Sequence, residues 1–339
     1  MVEPSSRVTI RDVAARAGVS VATVSKVINQ RYGVAAGTHA RVQAVIDDLG
    51  YEASLVAQSL RNHRTNVIGI LVADLEPFST ELLKGVADAI RGSGFELVVY
   101  SAGGHAGDHV GWERRYLSRL SGTLIDGAVL VTPTVVDVNY GAPIVAIDPH
   151  TGQSGLPTID SDNLRGGQLA TEHLLGLGHR RIAMLTGRPD LQSAQLREEG
   201  YRQALQAAGV PASEDLILLG DYDPQVAIER ARQLLSTPGP PTAVFAANDM
   251  SAIATMQAAA ELGLRVPDDL SVVGFDNIPE SALATPSLTT INQPIRQMGE
   301  HSIHLLLQLI RGETPEVTHI TLATDLVIRQ TTSAPPPRS

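Results

Sequence analysis

The sequence has no cysteine, few aromatic residues and no long hydrophobic run. Without cysteine the chain forms no disulfide, thiolate metal site or cysteine nucleophile, and this composition fits either a reducing cytoplasm or export. Aromatic residues make up 4 % of the chain, so we expect a mainly aliphatic core. No apolar stretch reaches the about 18 residues of a membrane span. The first residues, MVEPSSRVTIRDV, lack the apolar centre of a secretory signal.

Signatures of nucleotide-binding and hydrolytic enzymes are also missing. No GxGxxG follows a predicted strand, and there is no Walker loop and no GxSxG. His301 and His304 are spaced to share a metal on a helix, but a surface pair is the simpler interpretation. His179 lies between a helix stop and a strand, where we expect a structural role. We therefore predict that the chain is no enzyme and needs no metal or cofactor.

Length and charge indicate a soluble protein with a distinct N-terminal part. A chain of 339 residues, 43 % hydrophobic and 18 % charged, is typical of about two or three globular domains. Its formal net charge is −10. Residues 1–64 contain eight Arg or Lys against five Asp or Glu, which gives +3 and leaves −13 for the remainder. A basic head on an acidic body indicates that only the head meets nucleic acid, although chance would explain the same asymmetry.

Capping signals predict three short helices in the head. Thr9 can cap the first helix with Asp12 as its partner, and Gly18 can end it. Ser20 can cap the second helix and Thr38 the third. Helix, glycine turn and helix follow within about twenty residues, the spacing of a helix-turn-helix motif. The expected shared core consists of Val13, Ala14, Ala17, Val24, Val27 and Ile28.

The second helix has the features of a DNA recognition helix. Such a helix presents its first residues to base edges, while hydroxyl groups and helix N-termini hold phosphates. Its exposed positions include Lys26, which can donate to guanine O6 or N7, whereas Val21 and Ala22 offer only apolar contact. A generic helical bundle would share the apolar pattern but would not need so many hydroxyls. The residues suited to phosphate contacts are Thr9, Ser20, Thr23, Ser25, Asn29 and Thr38.

A family resemblance covers this head. The segment VTIRDVAARAGVSVATVSKVIN, followed by V-x-x-x-T at residues 34–38 and by LGY ending at Tyr51, resembles the DNA-binding headpiece of the LacI/GalR family of bacterial transcription regulators. The resemblance implies that Tyr51 also contacts phosphate. It further implies that the residues reading bases in the major groove are Val21, Ala22 and Lys26.

The resemblance also implies a hinge helix that orders on the operator and pushes a leucine into the minor groove. We expect this hinge within residues 54–64, at Ser54, Val56, Ala57 and Leu60. The Pro-Asn pair usual in the family is Ala53-Ser54 here, but serine still caps a helix well. A plain linker is the alternative interpretation.

From residue 65 onward, apolar β-rich runs alternate with helical patterns. Continuous apolar strands between helices predict parallel sheets buried on both faces, in two series divided near residue 160. Ligands of such sheets bind at the carboxyl ends of the strands, and several of these strands end in Asp or Asn. We predict strands at 66–74, 95–101, 126–132, 142–148, 180–187, 242–249 and 270–276. We predict helices at 80–92, 112–122, 164–178, 193–209, 224–236, 250–263 and 294–311.

The body resembles the effector domain of the same family, which is similar to periplasmic sugar-binding proteins. Matching phrases include ATEHLLGLGHRRIAMLTG and AANDMSAIATMQAAAELGLRVPDDLSVVGFDN. The implied fold is α/β, with a helix-turn-helix headpiece (1–53), a hinge or linker (54–64) and a periplasmic-binding-protein-like body (65–332) of two doubly wound parallel-sheet subdomains. The implied N-subdomain is about 65–161 and 293–324, the C-subdomain about 162–292 and 325–332, and a disordered tail covers 333–339.

The same resemblance implies an effector site between the subdomains. Planar Asp, Asn and Arg groups can bond adjacent hydroxyls, and an aromatic face can cover a sugar ring. The implied contacts are Asp74, Phe78, Asp148, Arg197, Tyr222, Asn248, Asp276 and Gln293, with Asp162 a weaker candidate. Trp112 is a further possible stacking residue, although it fits the start of a surface helix better. Other roles are open for four of these residues. Asn248 and Asp276 could instead cap a helix or form a turn, Arg197 could form an ion pair between helices, and Phe78 could pack in the core. The loop DLEPF, residues 74–78, is one residue shorter than the loop DLxNPF that is usual in the family.

We thus predict a cytoplasmic regulator, nucleoid-associated when bound to DNA, that represses sugar-utilisation genes. Its partners would be a pseudo-palindromic double-stranded operator and a small sugar, oligosaccharide or glycoside that most simply acts as an inducer. The chain ends TTSAPPPRS, with no apolar heptad, which favours a homodimer over a tetramer. The lack of a long apolar run predicts no membrane contact. The alternatives are a non-sugar effector, a co-repressor, a solute-binding protein and a sugar-acting enzyme.

Overall fold

The chain divides into two compact units, Met1–Thr65 and Asn66–Ser339, called here the headpiece and the body. The structure, a computed structural model, describes residues 8–28, 31–51, 64–103, 111–120, 124–134, 141–150 and 155–337. The predicted phosphate contact Asn29 and the predicted hinge residues Ser54, Val56, Ala57 and Leu60 lie outside these described residues.

The described headpiece contains three helices, and two of the predicted caps are confirmed. The backbone N–H of Thr9 donates to Oδ2 of Asp12 at 2.8 Å, and the first helix ends at Gly18 with a left-handed φ of 63°. The backbone N–H of Thr23 donates to the Ser20 hydroxyl at 3.1 Å, which caps the second helix. The helices are α1 (Ile10–Ala17), α2 (Val21–Ile28) and α3 (Ala36–Leu49).

The predicted cap at Thr38 is wrong. Helix α3 begins two residues earlier, and its capping position is Ala35, which makes no side-chain hydrogen bond. The backbone N–H of Thr38 already donates to the Ala35 carbonyl at 2.9 Å, so Thr38 lies inside the first turn. Ala35 enters the helix from an extended conformation (φ −62°, ψ 143°), and this backbone turn starts the helix without a hydroxyl cap.

The headpiece core is small and aliphatic. Ile28 is only half-buried, although it was expected in the core, and Val42 of α3 completes the core instead. Five of the six predicted core positions are buried, namely Val13, Ala14, Ala17, Val24 and Val27.

The described body contains two six-stranded sheets flanked by helices. The predicted strands are confirmed, and five further strands are present. The strands are β1 (Val67–Val72), β2 (Glu96–Ser101), β3 (Gly127–Val131), β4 (Ile144–Ile147), β5 (Thr158–Ser161), β6 (Ile182–Thr186), β7 (Ile217–Leu219), β8 (Ala243–Ala246), β9 (Ser271–Asp276), β10 (Thr289–Asn292), β11 (His319–Leu322) and β12 (Asp325–Val327). The predicted helices also form, and a short helix and one 3₁₀ turn (Glu214–Leu216) are added. The helices are α4 (Pro77–Ala89), α5 (Trp112–Leu120), α6 (Asn163–Gly176), α7 (Gln192–Ala207), α8 (Pro224–Leu235), α9 (Asp249–Glu261), α10 (Pro279–Leu283) and α11 (Ile295–Ile310).

The first sheet has the order β2-β1-β3-β4-β5-β11 and is entirely parallel. The second has the order β7-β6-β8-β9-β10-β12, and its edge strand β12 runs antiparallel to β10. The chain passes between the sheets after β5, after β10 and between β11 and β12. Beyond β12 the chain stays ordered, because Ser333 hydrogen-bonds to His179 and Ser271. The prediction of a disordered tail from residue 333 is therefore wrong at Ser333.

Glycines set how closely the helices of the body pack. A Cβ added at Gly167 of α6 would lie 2.3 Å from the backbone oxygen of Arg197 in α7. A Cβ at Gly200 of α7 would lie 2.3 Å from the backbone oxygen of Leu164. The two helices thus meet backbone to backbone, and this contact fixes the position of Arg197.

We predict that Gly167→Ala destabilises the protein by roughly 1–3 kcal/mol, because the added methyl forces α6 and α7 apart. Gly176→Ala is the matched control, since it lies on the same helix with no atom within 4 Å of the added Cβ. The control should be neutral or stabilising by about 0.5–1 kcal/mol. Urea unfolding measures both, and equal stability of the two variants would contradict the packing interpretation.

Candidate functional site

A cleft of about 620 Å³ lies at the carboxyl ends of strands of both sheets. Its walls are built from residues that follow β1, β3 and β4 of the first sheet and β6 to β9 of the second. This is the position at which parallel α/β sheets bind ligands. The structure brings seven of the predicted effector contacts into this cleft: Asp74, Phe78, Asp148, Arg197, Tyr222, Asn248 and Asp276.

Arg197 lies at the base of the cleft, and only 4 % of the residue is exposed. Its Nε donates to Oδ1 of Asn163 at 2.8 Å, and its Nη1 donates to the Ala247 carbonyl at 2.6 Å. Nη1 also lies 3.6 Å from Oδ1 of Asp276, and the guanidinium stacks 3.7 Å from the centroid of the Phe275 ring. Arg197 therefore lines the cleft and also forms a buried ion pair, which joins α7 to the end of β9 and not to another helix.

Asp276 is held from behind by Gln293. Nε2 of Gln293 donates to Oδ1 of Asp276 at 3.0 Å, and Oε1 of Gln293 accepts from the Ser161 hydroxyl. Gln293 is 2 % exposed and does not line the cleft, so its role is to position Asp276 rather than to touch a ligand. Burial raises the pKa of Asp276 well above its usual range, although the nearby Arg197 charge acts in the opposite direction.

Several cleft residues adopt left-handed backbone conformations that non-glycine residues rarely accept. Such backbone strain persists only where the surrounding structure enforces it, and it clusters at functional sites. The residues with left-handed conformations are Thr132 (φ 47°), Asp148 (φ 48°), Asp221 (φ 59°), Tyr222 (φ 58°) and Asp276 (φ 112°).

Burial raises the pKa of Asp148, while Arg197 and hydrogen bonds from Ser193 and Asn163 lower it.

Tyr222 covers one wall of the cleft. A Cβ at Gly187 would lie 2.1 Å from the Tyr222 ring, so only glycine leaves room for it there. The Arg197 guanidinium lies 5.8 Å from the centroid of the same ring. Among the described residues, no group lies in good hydrogen-bonding geometry with the buried Tyr222 hydroxyl. Burial raises its pKa to about 12, although the nearby Ser193 side chain acts in the opposite direction. A buried orphan hydroxyl next to a cavity is suited to bonding a ligand.

Two predicted contacts also cap helices. Oδ1 of Asn248 accepts the Ser251 N–H at 2.9 Å at the start of α9, and Asn248 still lines the cleft. Oδ1 of Asp162 accepts the Arg165 N–H at 2.9 Å at the start of α6. Asp162 lines a neighbouring cavity of about 350 Å³ instead of the main cleft, so the structure does not bring it to the others.

The sequence analysis missed several residues that line the cleft. His150 follows the strand-end Asp148 by two positions, and its Nδ1 lies 3.1 Å from Oδ2 of Asp190, which follows β6 of the other sheet. Trp112, by contrast, is buried against Tyr116 in the first half of the body and does not reach the cleft. The missed residues belong to no repeating pattern; they include Glu76, His150, Arg188 and Asp221 in loops and Ser193 in the first turn of α7.

The headpiece presents a second candidate surface. Ala22 and Lys26 of α2 are exposed, and Val21 and Ser25 are half-buried. The hydroxyls of Ser20 and Thr23 lie 2.9 Å apart at the start of α2, where the helix dipole favours an anion. The other predicted phosphate contacts, Thr9, Thr38 and Tyr51, are exposed or half-buried.

Comparison with known proteins identifies the family. Residues 9–54 match the bacterial regulatory proteins of the lacI family, and residues 171–332 match the periplasmic binding protein-like domain. The ribose operon repressor of Escherichia coli strain K12 is 38 % identical over 331 residues, which cover 95 % of this chain and 98 % of the relative. The chain belongs to the LacI family.

Solved structures of LacI-family proteins agree with this assignment. A lac repressor dimer bound to operator and to the anti-inducer ONPF is 31 % identical with a TM-score of 0.84, over 96 % of this chain and 99 % of that one. The complex of the transcriptional regulator CelR with cellobiose is 34 % identical with a TM-score of 0.72, over 96 % and 100 % of the two chains.

As a LacI-family member, the protein is a DNA-binding transcriptional regulator with a small-molecule effector, and not an enzyme. The α/β architecture of both body halves is the one expected from the sequence. In the described part of the chain, no helix combines the length and the apolar character needed to cross a membrane.

A buried carboxyl, Asp249, supports the cleft from beneath. It is fully buried, accepts the Thr290 hydroxyl and accepts the Ile278 N–H at 2.9 Å. A Cβ at Gly274 would lie 2.3 Å from its Oδ1, so this glycine makes room for the carboxyl. Burial raises the pKa of Asp249 to about 7, with the hydrogen bonds from Thr290 and Ile278 acting against this shift.

We predict that Asp249 makes stability depend on pH. Its pKa is higher in the folded state than the ordinary 3.8, so stability falls as pH rises from about 4 through 7. Asp249→Asn should make the slope of unfolding free energy against pH less negative between pH 5 and 8. The change corresponds to up to about one proton fewer released on unfolding. Urea unfolding across this range measures the slope, and an unchanged slope would show that Asp249 does not titrate there.

Proposed function

We propose that the protein is a cytoplasmic, homodimeric repressor of sugar-utilisation genes that binds a pseudo-palindromic operator. A neutral sugar or glycoside binds in the cleft and releases the operator. The observation that carries this proposal is the group of Arg197, Asp276, Asn248 and Tyr222, which places planar polar groups beside an aromatic ring in one cavity. Adjacent sugar hydroxyls bond such groups in pairs, and the ring covers the apolar face of the sugar.

The size of the cleft supports a small carbohydrate. A volume of about 620 Å³ lies within the roughly 300–1,000 Å³ typical of small-molecule sites. Two similar proteins have names consistent with this class, a ribose operon repressor and a regulator in complex with cellobiose. A co-repressor or a non-sugar effector is the second candidate.

The proposed coupling uses the segments that pass between the sheets. Gln293 lies just beyond β10 on one of these segments, and it bonds both Asp276 of the second sheet and Ser161 of the first. A ligand that takes a hydrogen bond from these linked side chains changes how the two halves of the body close. In a dimer such closure alters the spacing of the paired headpieces, which lowers operator affinity.

The proposed base reading relies on few hydrogen bonds. Lys26 supplies one donor in the major groove, while Val21 and Ala22 contact thymine methyl groups. Phosphate contacts from Thr9, Ser20, Thr23, Ser25, Thr38 and Tyr51 hold the helix in place, together with Asn29, and the hinge wedge at Leu60 adds selection through DNA bending.

We predict that Arg197→Lys weakens the response to effector, because an ammonium lacks the planar, fixed pair of donors with which a guanidinium bonds two adjacent hydroxyls. A duplex selected from a random pool serves as operator, and a thermal-shift screen of mono- and disaccharides supplies the sugar. Fluorescence anisotropy should show normal operator binding, with release needing at least about tenfold more sugar. Arg202→Lys, on the same helix but paired with Glu198 and Glu214 away from the cleft, is the control. Normal release in the Arg197 variant would exclude this site.

We predict that Lys26→Ala weakens binding to the selected duplex by about tenfold or more and relaxes selection at one base pair. Val21→Ser with Ala22→Gln should change which duplex is selected, with a smaller effect on the strength of binding. Repeating the selection with each variant distinguishes the two effects. A Lys26→Ala protein that selects the wild-type sequence would contradict the assigned base contact.

A further inference from the structure

The charge of the cleft is strongly unbalanced. Among the described lining residues, two guanidiniums, Arg188 and Arg197, face six carboxyl groups, a formal excess of four negative charges when every carboxyl is ionised and His150 is neutral. Burial raises the pKa of Glu76, Asp148 and Asp276, which lowers this excess. The carboxylates are Asp74, Glu76, Asp148, Asp221, Asp223 and Asp276. An anionic ligand would therefore enter against repulsion, unless some cation in the cleft were free to receive it.

Both guanidiniums are already compensated by protein groups. Arg197 bonds the Ala247 carbonyl and lies beside Asp276. Arg188 donates through Nη2 and Nε to the two carboxylate oxygens of Asp190, at 2.7 and 3.2 Å. The same Asp190 lies 3.1 Å from Nδ1 of His150. Neither arginine offers the uncompensated charge that a phosphate or carboxylate would need.

The segments of the body before residue 155 that lie outside the described residues add no guanidinium or ammonium group. The sequences of residues 104–110, 121–123, 135–140 and 151–154 contain no lysine or arginine.

Two of the carboxylates are unengaged. The side chains of Glu76, after β1, and Asp221, after β7, make no hydrogen bond or ion pair among the described residues. They approach the cleft from opposite halves of the body. The negative charges in the cleft already act on each other, since Glu76 and Asp148 add to the burial that raises the pKa of Asp276. A positive group in the cleft would relieve this repulsion.

The geometry points to an effector that carries no negative charge, and we propose that a protonated amine on a hydroxylated ring strengthens its binding. The hydroxyls would bond Arg197, Asn248 and the orphan Tyr222 hydroxyl, while Glu76 and Asp221 attract the amine. Sugar phosphates and sugar acids are thereby excluded. This inference rests on the proposed function, because it concerns the ligand class of the same cleft.

Matched ligand triplets test the inference. Glucose, galactose, mannose and cellobiose are each compared as the neutral sugar, the 2-amino sugar and the 6-phosphate (6′ for cellobiose), by isothermal titration calorimetry on the full chain. In any triplet that binds, we expect the amine to bind about fivefold or more tighter than the neutral sugar, and the phosphate at least tenfold weaker. Raising the salt from about 0.05 to 0.5 M should reduce the advantage of the amine, because salt screens exposed carboxylates.

Variants that remove one carboxylate charge test which residues cause the tighter binding of the amine. Glu76→Gln and Asp221→Asn should each lower the ratio of amine to neutral affinity by about fivefold. Glu229→Gln, an exposed carboxylate on α8 that does not line the cleft, should leave this ratio unchanged. Far-UV circular dichroism checks that each variant is folded.

The outcomes separate this inference from the proposed function. A phosphate that binds as tightly as its neutral sugar, or an amine that binds no tighter, would overturn the charge selectivity and leave a sugar effector standing. If no member of any triplet binds or releases operator, the sugar effector itself is wrong, and the charge selectivity of its site is wrong with it.

Discussion

The buried guanidinium of Arg197 is the interaction on which the rest of the cleft depends. A cation removed from water must be compensated by carboxylates, carbonyl oxygens or an aromatic face, or it destabilises the fold by several kcal/mol. Here α6 contributes Asn163, the end of β8 contributes the Ala247 carbonyl, and β9 contributes Phe275 and Asp276. Each element therefore has to end in register with the others, and the close approach of α6 and α7 holds Arg197 in this position.

Compensation of Arg197 also explains why the cleft is acidic and strained. Burying carboxylates beside one cation raises their pKa values wherever the cation cannot balance them all, as it does for Asp148 and Asp276. These two residues adopt left-handed conformations that turn each strand end toward the cleft. Strain of this kind is retained because it aims acceptors at one point, where sugar hydroxyls can use them. Gln293 then connects this point to the other sheet, so occupancy and closure share hydrogen bonds.

The sequence predicts those parts of the fold that depend on periodicity. Long apolar strands and amphipathic helices were placed within a few residues. The strands β5, β10, β11 and β12 were missed because polar residues interrupt their apolar pattern, and β7 was missed because it has only three residues. The predicted cap at Thr38 was wrong for two reasons. Hydroxyl side chains are common near helix starts, and the backbone geometry at Ala35 begins this helix without one. Carboxylates at strand ends identified three of the six carboxylates that line the cleft, Asp74, Asp148 and Asp276. Loop residues such as Glu76 and Arg188 have no pattern, and their place follows only from tertiary folding.

Charge then separates the two functions of the chain. The head carries +3 and the remainder −13, so the body is repelled by the same phosphates that attract the headpiece. Part of that negative excess lines the cleft, where carboxylates can accept hydrogen bonds. An acidic body thus keeps nonspecific DNA contact confined to the headpiece, and its cleft discriminates against anionic ligands. With only Lys26 donating among the three base-reading candidates, most of the hydrogen bonds proposed between the headpiece and DNA go to phosphates, which carry no sequence information directly.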